Sequence, residues 1–155
     1  MPLSTCSLST TKDSSPIMSF TIEDIQQLIS AEESDSLEFK ETTGQLNRGM
    51  ETGCAFLNSE GGGYLLFGVT DKGIIRGQEV TDSTRRDIAT AIRKFEPAYT
   101  PHIQYVSLPS SSRQVIVIHF IDQLGRKPYL FDGKPYRRIE SCTSVMPQPL
   151  YHDLL

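Results

Sequence analysis

Residues 46–69 constrain the fold more than any other stretch of the chain. Leu46, Met50, Cys54 and Leu57 recur at helical spacing, Gly61-Gly62-Gly63 stops the helix, and Tyr64 to Val69 reads as a buried strand. Gly49 and Gly53 sit inside the helical stretch. Each weakens a helix by roughly 1 kcal/mol relative to Ala, so the pattern predicts close packing of this helix against a neighbouring element. The glycines do not make a phosphate loop. Gly68-Val69-Thr70-Asp71-Lys72-Gly73 lacks the Gly-Lys-Ser/Thr ending, and the triplet closes a helix instead of opening one. Nucleotide hydrolysis by a P-loop mechanism therefore has no support.

Other elements arrange themselves around this centre. Thr21 and Asp24 form a capping-box-like pair at the start of a helix, with Phe20 placed to staple onto Ile25. Ile22, Ile25, Leu28 and Ile29 then share one face. Ser36 to Lys40 alternates like a half-buried strand, sending Leu37 and Phe39 to the core and Glu38 and Lys40 to the other side. Asp71-Lys72-Gly73 turns the central strand into Ile74-Ile75. A helix is expected from about Ser83 to Phe95, with Ile88, Ile92 and Phe95 inward and Pro97 beyond it. Strands from His102 to Leu108 and from Gln114 to Ile121 flank a Pro-Ser-Ser-Ser turn. Tyr129 to Phe131 and Lys134 to Ile139 flank Asp132-Gly133, a strong hairpin signal. The order α-β-α-ββ-α-ββ-ββ describes one α+β domain, a mixed sheet with hairpins, over residues 20–147. Residues 1–19 hold six Ser and three Thr and are expected to be a disordered leader, with Met18 an alternative start. Residues 148–155 are expected to be a tail or the start of a missing C-terminal element.

Composition excludes several classes of function. The chain has 155 residues and a net charge of −4, against a small basic protein that binds DNA by bulk charge. No apolar run reaches the roughly eighteen residues of a membrane span, and the polar N-terminus has no secretory apolar core. Cys6, Cys54 and Cys142 are odd in number and far apart, so a disulfide framework or thiolate zinc site is not expected and a cytoplasmic setting is. His102, His119 and His152 lack metal-ligand spacing. The net charge is also unevenly spread. Residues 1–60 carry ten acids and three bases, whereas residues 61–155 carry nine acids and twelve bases. Between Arg126 and Arg138 there are five bases and one acid. Such asymmetry points to a charged partner, or more plainly to two solvated faces.

Two groups of residues are candidates for chemistry. Glu33 precedes the first strand, Glu38 lies within it, and Asp71 ends the second strand, so neighbouring strand ends can gather all three. A carboxylate cluster of this kind suits Mg²⁺ or Mn²⁺, with Lys40 stabilising developing negative charge. The plainer reading makes Asp71 a turn former and Glu38 an exposed strand residue beside a lysine. The second group is Arg126, Lys127, Lys134, Arg137 and Arg138, interleaved with Tyr129 and Tyr136. Along the last strand Lys134, Tyr136 and Arg138 share one face, and Arg137 and Ile139 the other. Arginine forks pair with phosphates and tyrosine rings stack on unpaired bases. The plainer reading is an edge hairpin charged to resist aggregation.

Three stretches together resemble a known family. Glu33 to Lys40 resembles the opening E-S-x-x-x-E-F-K of the Schlafen-type, AlbA-like domain, a family regarded as DNA-binding. Ala55-Phe56-Leu57-Asn58-Ser59-Glu60-Gly61-Gly62, then Gly68-Val69-Thr70-Asp71 and Ile75-Arg76-Gly77, resembles its centre. Pro128-Tyr129 and Tyr136-Arg137-Arg138-Ile139-Glu140-Ser141 resembles its P-Y…Y-x-R-x-G-S close. The resemblance covers roughly residues 30–147. It implies a compact α+β domain found in bacterial transcriptional regulators, with DNA or RNA as partner. It also implies, through RNA-cutting members with three metal-binding carboxylates, an endoribonuclease alternative using Glu33, Glu38 and Asp71. Glu140 departs from the pattern, standing where the family has glycine. Schlafen cores pair two such lobes, so homodimerisation is a further expectation. The reading is a nucleic-acid-binding domain that uses the basic hairpin for phosphate contacts. A metal-dependent ribonuclease and a protein-interaction module are the alternatives.

Overall fold

The computed structural model describes residues 19–30 and 34–155. The expected leader, up to residue 18, and Glu33 lie outside them. Helix α1 spans Ile22–Ser30, and its predicted capping box is present: Thr21 N–H donates to Asp24 Oδ2 at 2.8 Å, and Asp24 N–H to Thr21 Oγ1 at 3.2 Å. Strand β1 follows at Leu37–Lys40, a short 3₁₀ turn at Thr43–Gln45, and helix α2 at Leu46–Leu57. Strand β2 is Gly63–Phe67, helix α3 Asp82–Ile92, and strand β3 Phe95–Glu96. Strands β4 (His102–Ser107), β5 (Gln114–Phe120), β6 (Leu130–Phe131), β7 (Tyr136–Ile139) and β8 (Cys142–Val145) precede helix α4 at Gln148–Leu154. The chain is a single α+β domain.

A four-stranded sheet in the order β1-β2-β5-β4 carries the core. Strands β1 and β2 run parallel, and the remaining pairs antiparallel. One face of the sheet, through Leu65, Phe67, Ile116, Ile118 and Phe120, packs under α2. The other, through Leu66, Val115 and Val117, packs against Ile25 of α1. The glycines explain how closely α2 can lie. A Cβ on Gly53 would fall 2.4 Å from the Phe120 ring, and one on Gly49 2.8 Å from the Phe67 ring. The lost helix propensity is thus offset by direct contact between helix backbone and sheet side chains.

The strand expected at Ile74-Ile75 is reduced to an isolated bridge between Val69 and Ile75, and two further elements differ. Helix α3 starts one residue earlier, on a Thr81–Thr84 capping box, and ends at Ile92. Phe95 belongs to β3, where it pairs with Phe131; its apolar ring is buried as expected, but through strand pairing. The Asp132-Gly133 hairpin is also displaced. Both residues have positive φ (53° and 83°), and Phe131 and Lys134 exchange two main-chain hydrogen bonds across them. The ladder does not continue, because the groups of the next hydrogen-bonding pair, Tyr129 and Tyr136, are taken by the side chain of Asn58, which accepts from Tyr129 N–H and donates to both carbonyls. The paired hairpin is instead β7 with β8, turning at Glu140 and Ser141 with φ of 50° and 65°. Glu140 therefore occupies a left-handed position that favours glycine.

Candidate nucleic-acid interface

The first and last motifs meet inside the fold. Glu38 and Arg138 are 9% and 8% exposed. Arg138 Nη2 donates to Glu38 Oε1 at 2.6 Å, and Lys40 Nζ sits 2.9 Å from Glu38 Oε2. Arg138 also donates to the carbonyl oxygens of Ser34 and Leu37 and to Thr143 Oγ1, and its guanidinium lies over the Phe56 ring. Glu38 is therefore not the exposed strand residue expected from alternation. The outer side of β1 is covered by the β7–β8 hairpin, which docks on α2 through a Thr52–Thr143 hydroxyl contact of 2.8 Å.

Of the three carboxylates expected to gather, Glu38 and Asp71 are among the described residues. Both oxygens of Glu38 are engaged by cations. Asp71 is exposed in the Thr70–Gly73 turn, where Gly73 N–H donates to Thr70 O at 2.8 Å. Parallel pairing sets Glu38 opposite Leu65, so Asp71 follows six residues further along, past the end of β2. Among the described residues no three of His, Cys, Asp and Glu come together where a metal ion would be held. Glu33 falls outside the described residues. Lys40 is only slightly exposed and is spent on Glu38.

The basic segment divides into inward and outward residues. Tyr136 and Arg138 share one face of β7, as expected, and that face is buried. Arg137 is half-buried, with its Nε enclosed and lacking a hydrogen-bond partner. Arg126 and Lys134 are exposed, and Lys127 Nζ lies 3.3 Å from the carboxylate of exposed Glu60. Lys134 also gains neighbours that spacing along the chain conceals. Asp132 N–H donates to the Lys94 carbonyl at 3.0 Å, which brings the Asp132–Lys134 turn to the C-terminal end of α3 beside Arg93. Pairing of β3 with β6 is nonlocal, so no local signal marks Arg93 and Lys94 as part of this surface.

Two side chains fix the loop that carries these bases. Asn58, just beyond α2, accepts from Tyr129 N–H at 2.7 Å and donates to the carbonyls of Tyr129 and Tyr136 at 3.0 and 2.9 Å. Asp122 accepts from the N–H groups of Arg126 and Lys127 and from the Tyr129 hydroxyl, at 2.9 to 3.0 Å. Burial alone would raise the Asp122 pKa, but these hydrogen bonds and the Lys127 charge together lower it. Tyr129, buried and donating to that carboxylate, is pushed up to about 12 and stays a hydrogen-bond donor. Its ring is thus part of the scaffold and closed to stacking. Cys54, buried under the same loop, is likewise raised to about 12 by burial, and is an inert thiol.

No curated protein matches the chain, whereas solved structures share its fold. A solution structure of the N-terminal domain of a putative ATP-dependent DNA helicase RecG-related protein from Nitrosomonas europaea is similar, with 25% identity and a TM-score of 0.56. The match covers 83% of this chain and 96% of that domain. The DIP2311 protein from Corynebacterium diphtheriae shares the fold at 18% identity and a TM-score of 0.60, over 85% of this chain. The chain spans 31% of that protein's length. Among the described residues no helix is long and apolar enough to cross a membrane. The profile of the Schlafen, AlbA_2 family matches residues 33–147, from the first motif through the docked hairpin, and the chain belongs to that family.

Proposed function

We propose that this chain is a nucleic-acid-binding domain that holds the phosphate backbone with Arg126, Lys127, Lys134 and Arg137. Family membership over residues 33–147 carries the reading. The likeness of its fold to a domain of a RecG-related protein supports it. Arg138 and Tyr136 contribute by holding the hairpin from inside, and Arg93 and Lys94 extend the basic surface around the Asp132–Lys134 turn. A local concentration of bases on a protein of net charge −4 favours electrostatic binding at one place over diffuse attraction.

The test is the salt dependence of binding to DNA and to RNA, measured by fluorescence anisotropy. The unmodified chain is expected to lose affinity steeply with added salt. Lys134→Ala with Arg137→Ala should weaken binding on every sequence. It should also reduce the duplex-DNA log–log salt slope by about 2, near one for each phosphate that is no longer neutralised. An unchanged slope would remove these residues from the interface. Arg138→Ala is unsuited to this test, since it strips a buried partner from Glu38.

A further inference from the structure

Resting on the reading that the chain binds nucleic acid, we propose that a cleft beside the four-stranded sheet is a stacking site for an unpaired base of a single strand. Among the described residues, helix α1 covers the Leu66 and Val117 end of its sheet face and leaves the other end open. There, Tyr64 of β2 is the register partner of His119 of β5, which is in turn the partner of His102 on edge strand β4. Cross-strand partners project from the same face, so three rings form one row across three strands. Tyr64 and His119 stack at 4.3 Å with an 11° interplanar angle. Phe20 sits 5.5 Å from Tyr64, and its N–H donates to the Gln104 side-chain carbonyl, which fixes that wall.

The cleft has a volume of about 1070 Å³, enough for a nucleotide. Its chemistry fits one. Aromatic faces offer sequence-tolerant stacking, and Arg126 stands on the lining within reach of a phosphate. The Asp122 hydrogen bonds to Arg126 and Lys127 hold that part of the loop in place before any ligand arrives. A duplex hides its base faces, so only an unpaired strand can use the row. The base stacks at the His102–His119 end, where His102 is exposed.

The experiment compares the full chain with His102→Ala and His102→Phe, on single strands and on duplexes of equal length. The imidazole resonances of His102 and His119 are followed during a separate titration with adenosine monophosphate. His102→Ala should weaken single-strand binding about five- to tenfold, as removal of one stacking ring implies, with duplex binding unchanged. His102→Phe should keep single-strand affinity within about twofold. Both imidazole signals should move with the mononucleotide, a readout independent of the Lys134 and Arg137 surface. Single-strand affinity unaffected by His102→Ala, or imidazole signals that stay still, would overturn the cleft site. If the Lys134 and Arg137 changes still weaken binding in that case, the phosphate-binding reading stands alone. Displacement of the nucleotide signal by an aromatic peptide at lower concentration would also overturn the proposal.

Discussion

At the scale of single residues, His119 makes an acid-sensitive point in the sheet. Burial lowers its pKa below 6.5, and the neighbouring His102 lowers it further. Tyr64 covers one face of its ring, and Asp24 of α1 and Arg126 share the cleft. The sign follows from linkage. Well above 6.5 the imidazole is neutral in both folded and unfolded chains and contributes no pH dependence. Below 6.5 the unfolded chain takes up the proton first, so stability falls as pH drops toward the lowered folded value. Thermal unfolding between about pH 7.5 and about pH 5 should therefore show a declining midpoint, and His119→Gln should flatten that decline. A variant with the same pH profile as the parent would show that another group sets it.

At the scale of elements, what is legible in the sequence is what is local. The spacing of Leu46, Met50, Cys54 and Leu57 and the two internal glycines describe α2 and its close seat on Phe67 and Phe120. The Thr21–Asp24 cap and the antiparallel β4–β5 pair are equally readable. Nonlocal pairing is not. Nothing near Phe95 announces Phe131, and a sound two-residue turn at Asp132-Gly133 says nothing of the Asn58 side chain that takes up the next ladder pair. The candidate site is hidden for the same reason: Glu38 and Arg138 lie 100 residues apart and read as members of separate surfaces, yet each is the other's buried partner. Removing Arg138 leaves one oxygen of the buried Glu38 carboxylate without its partner, with Lys40 alone on the other. Arg138→Ala should destabilise the chain by about 3–5 kcal/mol in urea unfolding. Glu38→Leu combined with Arg138→Met should recover most of that deficit, because an apolar pair carries no desolvation cost. A double variant no more stable than Arg138→Ala would mean that the hydrogen bonds of Arg138 to Ser34 and Leu37 matter more than its charge.

At the scale of the whole molecule, the C-terminal hairpin is the closing element. It pins the start of β1 through Arg138 and through Ser141 N–H donating to Asp35 Oδ1 at 3.0 Å, and it seats on α2 through Thr143. Met146, at its end, is buried, and its N–H donates to the Pro135 carbonyl at 2.6 Å. Helix α4 beyond it is different in kind: none of its residues is buried, and Leu150, Leu154 and Leu155 are exposed. Cooperative stability should therefore end with the hairpin and owe little to α4. Removing residues 148–155 is expected to shift the thermal midpoint by no more than a few degrees, since no fully buried apolar side chain goes with it. Removing residues 136–155 takes away Arg138, Tyr136 and Met146 together and leaves Glu38 without its arginine and the Asn58 amide without the Tyr136 carbonyl. That shorter chain should lose its cooperative transition in circular dichroism. If it still unfolds cooperatively near the parent midpoint, the sheet and α2 are self-sufficient and the buried Glu38–Arg138 pair serves specificity of docking alone.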